Sequence, residues 1–214
     1  MGKIYKIQKP KFIDELEEID NIQDEINTYE KLQNKIIENI EIDYITEKGL
    51  TIDSCIFKNV SFNECSFKNV DLLDTVFENC DLSNIDFGGG SIHRVEFKNC
   101  KLLGSKLDDC SIKEVLFSAS IGKYINFSYS TLKRVSIEEC NFSEGIFQQV
   151  KLDKVNFDNT DLTNTYFNKT NLNNIDFTSC DITGIDVEIE NLSGVVVNTI
   201  QALELTRLMR IIVK

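Results

Sequence analysis

The sequence predicts a solenoid, a single elongated domain of stacked five-residue units, and three observations carry that prediction. First, a large apolar residue recurs every five positions, from Ile52, Phe57, Phe62, Phe67 and Leu72 to Val197, and only Gly122 interrupts the series. Second, a smaller residue sits two places before each of these centres, and all seven cysteines (Cys55, Cys65, Cys80, Cys100, Cys110, Cys140, Cys180) occupy that place. Third, thirteen of the fourteen phenylalanines fall on the centre position, Phe12 being the exception. A period of five matches neither a helix at 3.6 residues nor a strand at 2. Self-similarity at a fixed period marks units that bury their apolar face only by stacking on their neighbours.

The unit itself resembles the pentapeptide repeat family, whose pattern is a small residue, Asp or Asn, Leu or Phe, then two polar residues or Gly. Cys80-Asp81-Leu82-Ser83-Asn84 and Thr160-Asp161-Leu162-Thr163-Asn164 match it position by position, and such units cover about residues 50 to 199. The resemblance implies an all-β fold, a right-handed quadrilateral β-helix with four units per coil. Centres twenty apart support that coil. Ile52, Leu72, Ile92, Ile112, Leu132, Leu152, Leu172 and Leu192 form a side without Phe, whereas the next side reads Phe57, Phe77, Phe97, Phe117, Ile137, Phe157 and Phe177. The Phe62 side (Phe62, Leu82, Leu102, Gly122, Phe142) and the Phe67 side (Phe67, Phe87, Leu107, Phe127, Phe147) complete the square.

In chain order, residues 1–49 are expected to form an arm and a cap, 50–198 the β-helix and 199–214 a terminal helix. Residues 1–11 are basic and hold the sole proline, Pro10, as an extended arm would. Phe12, Leu16, Ile19, Ile22, Ile26, Tyr29, Leu32 and Ile36 follow helical spacing with a turn near 21–24. This predicts a helical cap for the open strand edges of the first coil, with a partner-binding arm as the other reading. Ile37 and Ile42 already share the centre phase, so an irregular coil can start there. Asn59, Asn69, Asn79, Asn84, Gly89, Gly104 and Gly184 sit two places after a centre, where a corner needs positive φ. Gly88–Gly90 reads as such a corner, since no strand–helix unit or following Lys-Ser/Thr makes it a phosphate loop. Leu116 to Tyr129 is the least regular coil. Gly122 removes a core side chain there, and Leu116, Ile121, Tyr124 and Tyr129 take outward phases, through local repacking or as an exposed contact patch.

After Val197 the pattern becomes helical. Ile200, Leu203 and Leu208, with Ile212 or Met209, can form one apolar stripe, and Ile211-Ile212-Val213 can end as a strand. A monomeric cap accounts for this tail, but so many large apolar groups point instead to a homodimer contact through Ile200, Leu203, Leu208, Met209, Ile211 and Ile212. Leu192-Ser193-Gly194-Val195-Val196-Val197, then Gln201-Ala202-Leu203, then Ile211-Ile212-Val213 are similar to the ending of quinolone-resistance (Qnr-type) members of the family. Arg210 departs from them, since Gly is common there. That resemblance implies an end-to-end dimer and type II topoisomerases (DNA gyrase, topoisomerase IV) as partners. The unbroken register from Ile52 to Val197 implies that the bulging loops of many such proteins are absent.

An odd cysteine count on inward positions speaks against a secreted disulfide framework, and thiols strung along a rod cannot converge on zinc. No cofactor is expected. With no signal-peptide core and no transmembrane run, the expected location is the cytoplasm.

Charge divides as −5 over 1–49, from 7 basic and 12 acidic residues, −9 over 50–198, from 13 and 22, and +2 over 199–214. The sign is wrong for binding nucleic acid directly. The Ile52 side is near neutral, the Phe57 side −4 and the Phe62 side −3. Glu78, Asp81, Glu96, Glu138, Glu139, Glu144, Asp158, Asp161 and Asp176 are therefore the candidate partner-binding residues, unless they are ordinary solubilising charge. The single histidine, His93, is expected at the surface, and no nucleophile–base pair can be assigned, so an enzyme is not expected. Two functions fit: a DNA mimic that engages gyrase or topoisomerase IV and protects it from fluoroquinolones, or a structural adaptor for an unrelated protein.

Overall fold

The computed structural model describes residues 5–12 and 14–211. From Lys31 onward the chain winds as a parallel β-solenoid in which each residue pairs with the one twenty positions on. Leu32, Ile52, Leu72, Ile92, Ile112, Leu132 and Leu152 stack in register on one side. Ile37, Phe57, Phe77, Phe97, Phe117, Ile137 and Phe157 stack on the next. Strand β1 (Glu17–Ile19) precedes helix α1 (Ile22–Tyr29), and the short strands β2 (Lys31–Gln33), β3 (Lys35–Glu38), β4 (Glu41–Asp43), β5 (Thr51–Asp53), β6 (Ile56–Lys58) and β7 (Ser61–Asn63) build the first coils. Eight-residue strands follow, β8 (Asp71–Glu78), β9 (Ser91–Lys98), β10 (Ser111–Ser118), β11 (Thr131–Glu138) and β12 (Lys151–Asp158). Each of these crosses a corner and so spans two sides.

The other two sides are ladders of single bridges, Ser61–Asp81–Lys101–Ile121–Asn141–Asp161–Asp181 and Thr46–Ser66–Asp86–Lys106–Asn126–Ile146–Tyr166–Asp186. Their units close as four-residue turns, as in Ile85 N to Leu82 O and Val70 N to Phe67 O. The third residue of each has positive φ (Asn84 59°, Asn69 55°), the geometry a type II turn demands. The preference for Asn and Gly at corners is thus explained, although Tyr124 (63°) and Tyr129 (64°) accept the same strain.

Inside, Phe57, Phe77, Phe97 and Phe117 stack with centroids 4.8–5.1 Å apart and planes within 7°. Burial of each such ring stabilises by about 1.5–3 kcal/mol. The small inward position explains its own chemistry: Cys80 Sγ donates to Phe57 O at 3.4 Å and Ser105 Oγ to Leu82 O at 2.7 Å, one coil back. Thiol or hydroxyl, the group satisfies a buried carbonyl, and all seven cysteines are buried and free. Gly122 is filled by repacking: a Cβ there would meet the Phe142 ring at 2.8 Å, and that ring packs edge-on to Phe117.

The N-terminal region differs from the expectation of a long helical cap. Among its described residues only Ile22–Tyr29 is helical, capped by Asn21 and ended by Glu30 at φ 56°. Ile22 and Ile26 are buried over the open end, whereas Phe12 and Tyr29 are exposed. Leu32 and Ile36 belong to strands, because Leu32, Ile37 and Ile42 obey the five-residue phase and Asn34 and Asn39 supply positive-φ corners. Pairing at twenty-residue spacing therefore begins at Lys31, just ahead of the irregular coil expected from Ile37 and upstream of the regular units expected from about residue 50. Strand β1 pairs with β3, and Glu17 and Glu25 hold Lys35 Nζ at 2.6 and 3.2 Å, covering that strand edge.

Candidate partner-binding faces

The nine acidic candidates do not form one uniform edge. Glu78 lies in register between Lys58 and Lys98, Glu96 is buried with Lys98 Nζ at 2.5 Å, and Asp81 meets Lys101 at 3.3 Å. Glu144 pairs with Lys123 at 2.9 Å, and that lysine holds its carboxyl below the ordinary value. Asp81 and Asp161 each accept the N–H and hydroxyl of the residue two places on, Ser83 and Thr163 respectively, and Asp176 does so from Thr178. These carboxylates shape turns before they can serve a partner.

Glu138, Glu139 and Asp158 are brought together by the stacking. Glu138 is directly opposite Asp158 on adjacent coils, Glu139 follows at the corner, and no cation among the described residues lies within ion-pair distance of any of them. Among the described residues their side-chain partners are neutral, Ser136 for Glu138, and Asn159 and Ser179 for Asp158. Around the corners Ile121, Tyr124, Tyr129 and Tyr166 are about half exposed, so this coil combines a repacked core with an apolar, aromatic surface.

The C-terminal segment caps the last coil. Helix α2 (Thr199–Leu205) starts at a capping box between Asn198 and Gln201. The buried Gln201 amide donates to Phe177 O at 2.7 Å and Cys180 O at 2.8 Å, closing carbonyls that another coil would otherwise satisfy. The Arg207 guanidinium donates to Ile185 O, and Leu205 and Leu208 pack on the core. Ile200, Leu203, Met209 and Ile211 are left exposed at 50–79%. Leu208 thus leaves the expected stripe, because the helix tightens to a 3₁₀ turn over Thr206–Met209 and rotates it inward. Ile212 and Val213, and with them most of the strand expected there, lie outside the described residues; Ile211 is described and is not in a strand.

The Ile52 face carries what sequence reading missed. Residues 8–11 lie along this face, with Lys11 N donating to Asp74 Oδ1 at 2.9 Å and Gln8 N to Glu114 Oε2 at 3.0 Å. Arg94 binds Asp74 through two nitrogens at 2.5 and 2.6 Å, and Arg134 binds Glu114. Burial alone would raise both carboxyls, but for Asp74 the Arg94 guanidinium and the Lys11 N–H outweigh it, and for Glu114 the Gln8 N–H and Arg134 do; both lie below the ordinary value. His93 is half-buried against Arg94; burial and the Arg94 and Lys113 cations keep its pKa low. The alternation Asp74, Arg94, Glu114, Arg134 at twenty-residue intervals was the available signal.

A family model described as a pentapeptide repeat region matches residues 90–144 and 131–206, more than half of the chain. The chain belongs to the pentapeptide repeat family. A second model, the SV2A/B/C luminal domain, matches residues 17–107. No curated protein matches. Among solved structures, full-length QnrB1, a plasmid-mediated fluoroquinolone resistance protein, is 24% identical over 90% of this chain and 94% of its own, with a TM-score of 0.47. HetL from Nostoc sp. strain PCC 7120, a pentapeptide repeat protein involved in heterocyst differentiation regulation, is 12% identical over 82% and 92%, at 0.23. Rfr23 from Cyanothece 51142 is 9% identical over 82% and 97%, at 0.33. Among the described residues of this pentapeptide repeat protein, no helix is long and apolar enough to cross a membrane, and no group of three His, Cys, Asp or Glu is arranged for a metal.

Proposed function

We propose that this protein is a DNA-mimicking module that binds a type II topoisomerase, DNA gyrase or topoisomerase IV, and lowers fluoroquinolone action on it. The observation that carries this reading is the cluster Glu138, Glu139 and Asp158, three carboxylates brought together on adjacent coils with no cation of the described residues within ion-pair distance. Stacked coils space such charges at ~4.8 Å, of the same order as the ~3.4 Å between phosphates of one DNA strand. A positively charged channel would attract them over a distance set by ionic strength. The exposed Ile200, Leu203, Met209 and Ile211 supply an end-to-end homodimer contact that doubles the rod. Residues 31–197 serve as the DNA-like body, 14–30 and 198–211 as its end caps.

A structural adaptor is the second reading, favoured by the lysines that flank Glu78 and pair with Glu96 and Asp81. A gyrase supercoiling assay with ciprofloxacin separates the two. Rescue by the wild-type chain, and its loss in a Glu138→Lys, Glu139→Lys, Asp158→Lys variant, is the result expected. No effect on gyrase or on topoisomerase IV would leave the adaptor.

A further inference from the structure

The arm repeats every three residues. Lys6, Lys9 and Phe12 are exposed, Ile7 and Pro10 are half-buried, and Gln8 and Lys11 donate their backbone N–H groups to the solenoid. The two acceptors, Glu114 and Asp74, lie two coils apart, about 9.6 Å at ~4.8 Å per coil. Three residues of polyproline II span about 9.3 Å at ~3.1 Å each. Three residues of a β-strand cover a similar length, but a strand turns successive N–H groups to opposite sides, so donors at i and i+3 cannot both face one surface. With three residues per turn, polyproline II returns both to the same side. Pro10 fixes its own φ near that geometry and steers Lys9 toward it. The solenoid side is equally specific: each acceptor is a buried carboxylate held by an arginine from the next coil, so its free lone pair is aimed before the arm arrives.

We propose that the Ile52 face is a binding track for a lysine-bearing, polyproline-II-like segment, filled in this structure by the chain's own residues 8–11 and open to a like segment of a partner protein when the arm lifts. The track reads backbone donors three residues apart, while Lys6 and Lys9 of the segment stay exposed. The inference is independent of the topoisomerase reading, which uses other faces.

The test removes the donors without touching the coils. In the full chain, Gln8→Pro with Lys11→Pro deletes both N–H groups in an extended segment that tolerates proline; far-ultraviolet circular dichroism checks the solenoid. A fluorescein-labelled peptide of residues 1–12 is then titrated by anisotropy. The double variant should bind it saturably, and wild type more weakly by the ratio of the arm's effective concentration to its dissociation constant, on the order of a hundredfold for about a millimolar over about 10 μM. A peptide carrying the same two prolines should not bind, and Asp74→Asn with Glu114→Gln in the double variant should weaken capture at least about tenfold. Binding to neither chain, equal binding to both, or undiminished binding of the proline peptide would each overturn the track.

Discussion

On the Ile52 face, Asp74 and Glu114 are buried, each held by an arginine from the next coil and by an arm N–H. On the Phe57 face, Glu138 opposes Asp158, and no cation among the described residues is within ion-pair distance of either. The backbone is the same on both, a strand with one side chain in and the next out. What separates them is the residue stacked above. A cation twenty positions on turns a carboxylate into internal structure, and a second carboxylate leaves it without a countercharge. Net charge per side, near zero against −4, registers this difference only as a sum.

The largest expected effects test what the faces share. Phe97→Ala removes a ring stacked between Phe77 and Phe117, and Phe147→Ala one between Phe127 and Phe167, so each should cost about 3–5 kcal/mol in urea unfolding. A loss below about 1 kcal/mol would mean the ladders are not the core. Next, Glu114→Ala should cost about 2 kcal/mol, by stranding Arg134 and the Gln8 N–H. Glu138→Ala should stay within about 0.5 kcal/mol. Equal losses at both sites would erase the contrast between the faces.

Acid sharpens the contrast further. The folded pKa values of Asp74 and Glu114 lie below their free values, so their contribution is complete above about pH 4–5 and is lost as pH falls through the depressed values. Amide resonances of Gln8 and Lys11 should hold from pH 8 to 5 and shift toward free-peptide positions only in stronger acid. Release near neutrality would contradict the carboxylate contacts. The smallest effect is at a corner: Tyr124→Asn, at φ 63°, should stabilise by a few tenths of a kcal/mol to about 1, since Asn tolerates the left-handed region better.

Much of the fold was legible in the sequence, because a β-solenoid writes its contacts at fixed separations. The inward cysteines, the Phe ladders and the Asn corners all follow from positions modulo five and twenty. The N-terminal boundary was harder to read, since Leu32 and Ile36 continue the apolar spacing of α1 while Leu32 also starts the coil phase. Among the site candidates, Asp81, Asp161 and Asp176 illustrate the limit: the pattern marks them as outward, but only geometry reveals that a neighbouring hydroxyl and N–H already occupy them.

The sequence by itself determined the coil length, the inward residues and the side to which each outward residue belongs, because stacking twenty-residue turns leaves one register that buries every centre. The tertiary structure decided three things that no period encodes. The arm runs across the coils rather than with them, so Gln8 meets Glu114 over a separation of 106 residues. The Phe142 ring fills the place of Gly122. A 3₁₀ turn rotates Leu208 onto the core and leaves Leu203 and Met209 in solvent. Each depends on where side chains and a non-repeating segment find room once the repeats have stacked, and that is settled by packing in three dimensions.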